Sequence, residues 1–341
     1  MNLSFKKVFT DQLDHCYAVM RLKDGIHDYL VVASEEKQPC YAYDINNDFK
    51  KIEVWPDVGG TMSLVQIPGT MNFLASQQFY PGFNSPHCRI VKETFNGVDW
   101  DQAVIGSFPY VHRFDIIPHD NGLWFVGCSI ANSKENVDDW SDPGKIFVGD
   151  YDDTEETVKN LKALDFRLTK NHGYKNMGDY SLITGQEGIY KLNYPRACSD
   201  WKIEQISTME TSDIVMADVN NDGENEYLTI EGFHGPYIRI LDSKLNTLYK
   251  SEGTSPFGHA IWGGSLLGQT CFVFGFRSGE QDLKAIFFDK NQFQTQLIDS
   301  GVGPSNVLVY SKNNKQYILS ANRESNEVAV YEVSAPNQLK G

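Results

Sequence analysis

The stretch 217–227, ADVNNDGENEY, decides the fold. Oxygen-bearing side chains stand at alternate positions in it, at Asp218, Asn220, Asp222, Glu224 and Glu226. Ca²⁺ takes six to eight oxygen ligands at flexible geometry, and a glycine at position 223 can adopt the positive φ of a sharply turning loop. An Asp/Asn-rich turn capped by its own side chains is the alternative, but the regular alternation favours a calcium loop.

The flanks of this loop predict strands, since short apolar runs lie at 214–216 and 227–230. The loop also lacks the Glu at position twelve of an EF-hand. It resembles the D-x-[DN]-x-D-G-x-x-[DE] loop of FG-GAP and VCBS-type repeats. The matching residues are Asp218, Asn220, Asp222, Gly223 and Glu226. The resemblance covers about one repeat and implies a β-propeller blade with a structural Ca²⁺, without implying an activity.

A similar cadence of strands recurs at a period of about 45 to 50 residues, as propeller blades do. Each unit has two apolar strands, a polar link, a third strand and an outer strand of mixed charge. The predicted units begin near His15, Gly60, Val111, Met177, Ser212, Gly258 and Ser305. The clearest third strands are 40–45, 146–151, 237–242, 283–289 and 327–333, and the clearest outer strands are 51–55, 103–108, 201–207, 245–250 and 293–300.

The two ends of the chain complement each other in this scheme. The last unit supplies only three strands, and residues 3–9 (LSFKKVF) resemble the outer strand in 49–55 (FKKIEVW). We predict an all-β, seven-bladed β-propeller in a single domain, 1–333, with residues 3–9 completing the last blade and a flexible tail at 334–341. Closure of this kind removes exposed strand edges. The competing count is six blades with an irregular insertion around 132–176, and residues 153–165 could form a short helix.

The bulk composition narrows the function classes. The chain has 45 acidic against 30 basic residues and a net charge of −15, which argues against nucleic acid and anionic membrane surfaces as partners. No apolar run approaches the roughly 20 residues of a membrane span, and no signal-peptide core follows the N-terminus. Six cysteines are dispersed without a C-x-x-C pair: Cys16, Cys40, Cys88, Cys128, Cys198 and Cys271. We therefore predict buried thiols and a soluble, cytoplasmic protein; the oligomeric state is not indicated.

Candidate functional residues gather on one predicted face. In a propeller, the loops that enter the innermost strands and those between second and third strands open on the same face. The calcium loop joins a first strand to a second, so we expect it on the other face, bracing a blade. The residues predicted on the mouth-facing loops are His15, Tyr80, His87, Tyr110, His112, Arg113, Trp140, His234, His259, Arg277 and Arg323.

These residue types match the needs of β-elimination from a uronic acid. His112 is the predicted base, and Arg277 and Arg323 are the predicted carboxylate clamp. His259 or Tyr110 would protonate the leaving oxygen. The remaining mouth residues are predicted to bind substrate. The chain is similar at the level of fold to propeller polysaccharide lyases and sugar dehydratases, which implies a lyase acting on an acidic carbohydrate.

Several alternatives remain open. Each histidine could hydrogen-bond a backbone carbonyl in the channel wall, each arginine could be a solvated strand end, and Tyr80 and Trp140 could be rim packing or sugar-stacking platforms. The whole chain could be a non-catalytic, calcium-braced propeller that binds a protein or glycan. Glycoside hydrolysis would need a pair of carboxylates such as Glu231 and Asp115. A catalytic zinc would need three ligands, for which His15, His112 and His259 are the candidates.

Overall fold

The computed structural model describes residues 3–80, 82, 84–196, 199–252 and 256–335. Strands are the main regular element of this part of the chain, and no α-helix occurs within it. The strands are β1 (Ser4–Gln12), β2 (Cys16–Lys23), β3 (Asp28–Ser34), β4 (Cys40–Asp44), β5 (Lys50–Trp55), β6 (Leu64–Gln66), β7 (Phe73–Gln77), β8 (Arg89–Phe95), β9 (Trp100–Ser107), β10 (Val111–His119), β11 (Gly122–Ser129), β12 (Ile146–Asp152), β13 (Thr157–Ala163), β14 (Gly173–Asn176), β15 (Tyr180–Gly185), β16 (Gly188–Asn193), β17 (Lys202–Ser207), β18 (Thr211–Ala217), β19 (Glu226–Glu231), β20 (Ile238–Leu241), β21 (Thr247–Lys250), β22 (Gly258–Leu266), β23 (Gln269–Phe276), β24 (Leu283–Asp289), β25 (Gln292–Asp299), β26 (Pro304–Lys312), β27 (Lys315–Asn322) and β28 (Glu327–Ser334).

These strands form seven four-stranded sheets. Six sheets take four consecutive strands each: β2–β5, β6–β9, β10–β13, β14–β17, β18–β21 and β22–β25. The seventh has the order β1-β28-β27-β26, so the first strand of the chain is the outer strand of the last sheet. This is a seven-bladed β-propeller closed by its N-terminal strand. The predicted fold class is confirmed, and the six-bladed count is wrong.

The closing strand pairs antiparallel with β28, from Ser4 opposite Ser334 to Gln12 opposite Glu327. The Lys7 ammonium lies 2.9 Å from an Asp299 carboxylate oxygen and 3.0 Å from one of Glu327. An unpaired β28 would offer its backbone N–H and C=O groups to other chains, and β1 covers them.

The chain divides into two compact units. Unit 1 comprises Met1–Val19 and Val215–Gly341, and unit 2 comprises Met20–Ile214. In unit 1, one apolar cluster joins strands of the last two sheets and includes Val273 and Tyr331, and a second includes Leu228 and Phe272.

Unit 2 has its own apolar clusters. One joins the sheets β2–β5 and β6–β9 and includes Phe73, and the other joins β10–β13 and β14–β17 and includes Val126. Each cluster therefore packs the facing sides of two neighbouring sheets. Truncating a buried phenylalanine such as Phe73 to alanine typically costs about 3–5 kcal/mol.

Two sequence expectations about local structure have clear outcomes. Six of the seven predicted units begin within a few residues of the start of a blade, whereas the fourth, predicted at Met177, begins just after β14 (Gly173–Asn176) has ended. The helix considered for 153–165 is wrong, because Thr157–Ala163 is the outer strand β13, paired with β12. Thr157 and Val158 at its start are β-branched and favour a strand, and pairing with β12 overrides the weak helical pattern.

Five of the six cysteines lie buried as thiols, in agreement with the prediction. Burial raises the pKa of the Cys88, Cys128 and Cys271 thiols to about 12. Cys198 and most of the predicted tail, residues 336–341, lie outside the described residues. Within the described residues, no helix has the length and hydropathy that a membrane crossing requires.

Candidate functional site

The loop with alternating oxygens lies between β18 and β19, the first and second strands of the fifth sheet, as predicted. Gly223 has φ = 92°, a conformation that a glycine adopts without steric cost. Asp218 accepts hydrogen bonds from the backbone N–H groups of Asp222 and Gly223, at 3.1 Å each. Short side-chain-to-backbone bonds of this kind hold the turn in shape.

Glu226 anchors the same loop from its far end. Its carboxylate is almost fully buried, and burial raises its pKa. One oxygen accepts from the Val219 N–H and the other from the Asn220 side-chain amide, both at 2.9 Å. The same amide donates to Asp222 at 2.9 Å. The Asn220 amide thus lies between the carboxylates of Asp222 and Glu226. A cation in the same place would be coordinated by the same oxygens, so these residues fit a Ca²⁺ ion.

One position recurs at the start of, or just before, the innermost strand of each sheet (β2, β6, β10, β14, β18, β22 and β26), and we call it the inner-strand position. Its residues are Tyr17, Ser63, His112, His172, Ser212, His259 and Ser305. In unit 2, Ser63 Oγ donates to the carbonyl of His112 at 3.0 Å, and His112 Nδ1 lies 3.3 Å from the carbonyl of His172. In turn, His172 Nδ1 lies 3.0 Å from the carbonyl of Ser212.

Unit 1 repeats this pattern. His259 Nδ1 lies 2.5 Å from the carbonyl of Ser305, and Ser305 Oγ lies 3.3 Å from the carbonyl of Tyr17. A carbonyl can only accept, so Nδ1 of each of these histidines carries the hydrogen in the neutral ring. The inner-strand side chains thus tie one first strand to the next and fix the tautomer of three histidines.

The protonation of His172 is strongly affected by its surroundings. It is buried, and desolvation together with the charge of Arg113 lowers its pKa to about 3. Its ring lies 4.3 Å from the ring of His112, centroid to centroid. His172 is therefore neutral over the physiological pH range.

Unit 1 contains a continuous chain of contacts that we call the histidine–arginine cluster. Its residues are Tyr17, His234, Phe257, His259, Arg277, Arg323 and Glu324. The Tyr17 hydroxyl lies 3.0 Å from His259 Nε2. The His259 ring stacks on the His234 ring at 5.2 Å between centroids. Since Nδ1 of His259 donates to Ser305, its Nε2 accepts the hydrogen bond from the tyrosine.

The arginine end of the cluster begins at Phe257, whose ring lies 4.4 Å from the ring of His234. The guanidinium of Arg277 stands 4.6 Å over the Phe257 ring. Arg277 Nε and Arg323 Nη1 both donate to the same Glu324 oxygen, at 2.8 and 2.9 Å. The structure thus brings the two predicted clamp arginines together, around a carboxylate of the chain itself.

The remaining predicted residue of unit 1, His15, lies in the turn before β2 with φ = 48°. Its backbone N–H donates to the Asn326 side chain at 2.8 Å. Its predicted role in substrate or zinc binding stays a prediction.

In unit 2, a lysine ammonium lies over each of the two aromatic rings that were predicted to stack on a sugar, Trp140 and Tyr80. The Lys134 ammonium stands 3.3 Å from the centroid of the Trp140 ring, and the Lys37 ammonium 5.4 Å from that of Tyr80. The Tyr80 hydroxyl donates to the Val58 carbonyl at 3.2 Å. These cation–π contacts use the ring faces that a sugar would stack on.

The other predicted residues of unit 2 are less closely grouped. His87 is exposed in the loop between β7 and β8. Tyr110 is buried before β10, and Arg113 Nη1 donates to the carbonyl of Met62 at 2.7 Å. His112, the predicted base, is almost fully buried. The catalytic roles of His112 and Tyr110 stay predictions.

Sequence reasoning missed three residues that matter here: Tyr17, His172 and Glu324. His172 and Tyr17 share the inner-strand position with His112 and His259, so aligning the blades on those two histidines would have found them. Glu324 follows Arg323 directly, and a carboxylate next to a candidate clamp arginine was the available signal.

Comparison with known proteins gives a fold and no family. No family model and no curated protein matches the sequence. Among solved structures, the chain is similar to the WD40 β-propeller domain of Doa1, with a TM-score of 0.60, 14% identity and 96% of each chain covered. It is also similar to virginiamycin B lyase from Staphylococcus aureus, with a TM-score of 0.61, 12% identity, and 98% of this chain and 100% of that one covered. The Dos1 propeller has a TM-score of 0.54 at 10% identity, over 89% of this chain and 74% of that one. At these identities the likeness establishes the propeller fold alone.

Proposed function

We propose that this propeller is a lyase that performs β-elimination on a carbohydrate carrying a carboxylate, with the histidine–arginine cluster as its catalytic group. The observation that supports this most directly is the hydrogen bond of 3.0 Å between the Tyr17 hydroxyl and His259 Nε2. A tyrosine whose proton has an acceptor already in place can serve as a base.

The proton transfers balance within this pair. His259 Nε2 takes the phenol proton, and the Ser305 carbonyl, 2.5 Å from Nδ1, stabilises the imidazolium. The Tyr17 phenolate then removes the proton α to the substrate carboxylate, the carbon–carbon double bond forms, and the β carbon–oxygen bond breaks. The regenerated phenol protonates the leaving oxygen, and His259 returns its proton to Tyr17. Both side chains are buried, which strengthens these interactions relative to water.

Charge supports an acidic substrate. The carbanion-like transition state places negative charge on the substrate carboxylate, and a nearby cation lowers its energy. Arg277 and Arg323 both contact the same carboxylate oxygen of Glu324, which supports a role for this pair in binding a carboxylate. A guanidinium also matches a carboxylate in bidentate geometry.

The fold is compatible with this chemistry. One structure of the same fold is named as a virginiamycin B lyase. That name describes the other protein, and its substrate is not carried over. It supports only that a propeller of this size can hold a lyase site.

The test is a panel of glucuronosyl and galacturonosyl oligosaccharides, followed by the ultraviolet absorbance of the unsaturated uronate product. We expect a rise with the unaltered protein, and a loss of at least about 100-fold in rate for Tyr17→Phe and for His259→Gln, the usual contribution of a general acid–base group. Tyr310→Phe is the matched control, because Tyr310 is another buried tyrosine of unit 1 and its ring stacks on Tyr317. That variant should keep the full rate.

Two outcomes separate the competing models. If Tyr17→Phe is fully active and His112→Gln is inactive, the base is His112 and the Tyr17–His259 mechanism is wrong. If no oligosaccharide of the panel gives a rise while one of them binds, the chain is the non-catalytic binding propeller and the lyase proposal is rejected.

We also propose that the β18–β19 loop is an FG-GAP/VCBS-type calcium loop that braces its blade. Asp218, Asn220, Asp222, Glu224 and Glu226 would hold the ion. The loop joins two strands at 217 and 226, so binding would stabilise the fold, and no catalytic step is assigned to the ion.

A cytoplasmic location is proposed on the strength of the buried thiols, since reduced cysteines persist in reducing compartments.

A further inference from the structure

A cleft in unit 2 is a separate candidate for ligand binding. It has a volume of about 360 Å³, at the lower end of the range for small-molecule sites. Its lining comes from the β7–β8 link, the residue before β10 and the β11–β12 link. The lining residues are Gly82, Asn84, Tyr110, Lys134, Glu135, Asn136 and Val137. None of them belongs to the histidine–arginine cluster.

The β11–β12 link is held in shape by its own hydrogen bonds around Asp139. Asp139 accepts from the Glu135 N–H at 3.0 Å and from the Ser141 hydroxyl at 2.6 Å, and hydrogen bonds of this kind lower its pKa to about 2. Lys134 Nζ donates to the carbonyl of Asp139 at 2.6 Å while standing over the Trp140 ring. A loop already ordered in this way loses little conformational entropy when a ligand binds.

The lining points to an uncharged ligand with many hydroxyl groups. The charges of Lys134 and Glu135 cancel, so an anion would face the carboxylate and a cation would face the ammonium. The amides of Asn84 and Asn136 each carry donors and an acceptor oxygen, although the Asn136 oxygen also accepts from the Asp138 N–H at 3.0 Å, and a hydroxyl group likewise donates and accepts. Val137 adds an aliphatic surface that suits the C–H face of a sugar ring.

We propose that this cleft binds a neutral mono- or disaccharide. The proposal is independent of the Tyr17–His259 chemistry, because the two groups share no residue and the readout here is binding. A failed lyase assay therefore leaves the cleft intact as a proposal, and a failed binding assay leaves the lyase intact.

The experiment is saturation-transfer NMR on the full chain, with methyl α-D-glucopyranoside, methyl β-D-galactopyranoside and maltose as probes, and glucuronate and glycine as charged comparators. We expect saturation transfer to at least one neutral sugar. Val137→Trp should fill the cleft and reduce the signal at least fivefold, and Glu135→Ala should weaken binding at least fivefold by removing a hydroxyl acceptor.

The matched control is Val98→Trp, which adds the same bulk at another exposed valine of unit 2 that does not line the cleft. Val98→Trp should keep the full signal. The proposal is overturned if no neutral sugar exceeds the glycine background, if glucuronate alone binds, or if the two tryptophan variants behave alike.

Discussion

Replacing Glu93 by glutamine should change how stability depends on pH. Glu93 lies in β8 with no exposed surface, and one carboxylate oxygen accepts from Gln102 Nε2 at 2.6 Å. The other oxygen is buried without a hydrogen-bond partner among the described residues. Burial raises the pKa of this carboxyl from an ordinary 4.5 to about 7, against the opposing effects of Gln102 and Arg89.

The direction of the change in stability with pH depends on whether the folded or the unfolded chain binds the Glu93 proton more tightly. The folded state keeps the Glu93 proton up to a pH of about 7, whereas the unfolded chain releases it near 4.5. The free energy of unfolding therefore falls as the pH rises between these values. At 1.36 kcal/mol per pH unit, the full loss is about 3.4 kcal/mol, of which about 2 kcal/mol develops between pH 5.5 and 8.5.

Urea unfolding of the unaltered chain and of Glu93→Gln at these two pH values measures the effect. The stability of the variant relative to the unaltered chain should rise by about 2 kcal/mol on going from pH 5.5 to 8.5, because glutamine is never charged. Glu53→Gln is the control, since Glu53 is exposed in β5, and surface changes of this kind usually stay within about 0.5 kcal/mol. Parallel pH profiles for the unaltered chain and Glu93→Gln would refute this account of the buried carboxyl.

Two further predictions concern acid and metal. Burial lowers the pKa of His172 to about 3, so this residue must gain a proton when the chain unfolds below pH 6.5. The free energy of unfolding therefore falls as the pH is lowered. Between pH 7.5 and 4.5, His172→Gln should lose about 2.7 kcal/mol less of this free energy than the unaltered chain, as measured by urea unfolding. Equal losses would contradict the neutral buried histidine. A chelator should lower the thermal midpoint of unfolding, and added Ca²⁺ should restore it. At a Ca²⁺ concentration of one hundred times the dissociation constant, the ion should add about 2.7 kcal/mol to the free energy of unfolding. Asp218→Ala should abolish this response. An unchanged midpoint would rule out an ion bound to the folded loop.

Much of the fold could be predicted because its information is local. The alternation of apolar and polar residues marks each strand, and the ADVNNDGENEY loop identifies one blade and the order of its strands. The likeness of 3–9 to 49–55 was enough to place β1 at the end of the last sheet. The outer strand β13 was harder, since an exposed edge strand carries little of the apolar pattern that strand assignment depends on.

The candidate site was less predictable because its residues depend on partners far along the chain. Arg277 and Arg323 stood out singly, but their joint contact with Glu324 needs the packing of two sheets. Tyr17 and His259 are 242 positions apart in sequence, and the residues around each of them do not predict their hydrogen bond. Glu93 was visible in principle, since it shares one face of β8 with the buried Val91.

The pairing of β1 with β28 has a consequence for how the chain folds during synthesis. Unit 2 is contiguous, so all of its strands have left the ribosome when residue 214 has emerged. Unit 1 combines an N-terminal segment, 1–19, with the segment 215–341, and Lys7 pairs with a residue 320 positions later. Until β28 arrives, β1 is an unpaired nine-residue edge, and such edges recruit other chains. The step that completes the propeller therefore requires β28, and translation past residue 334 sets its earliest time.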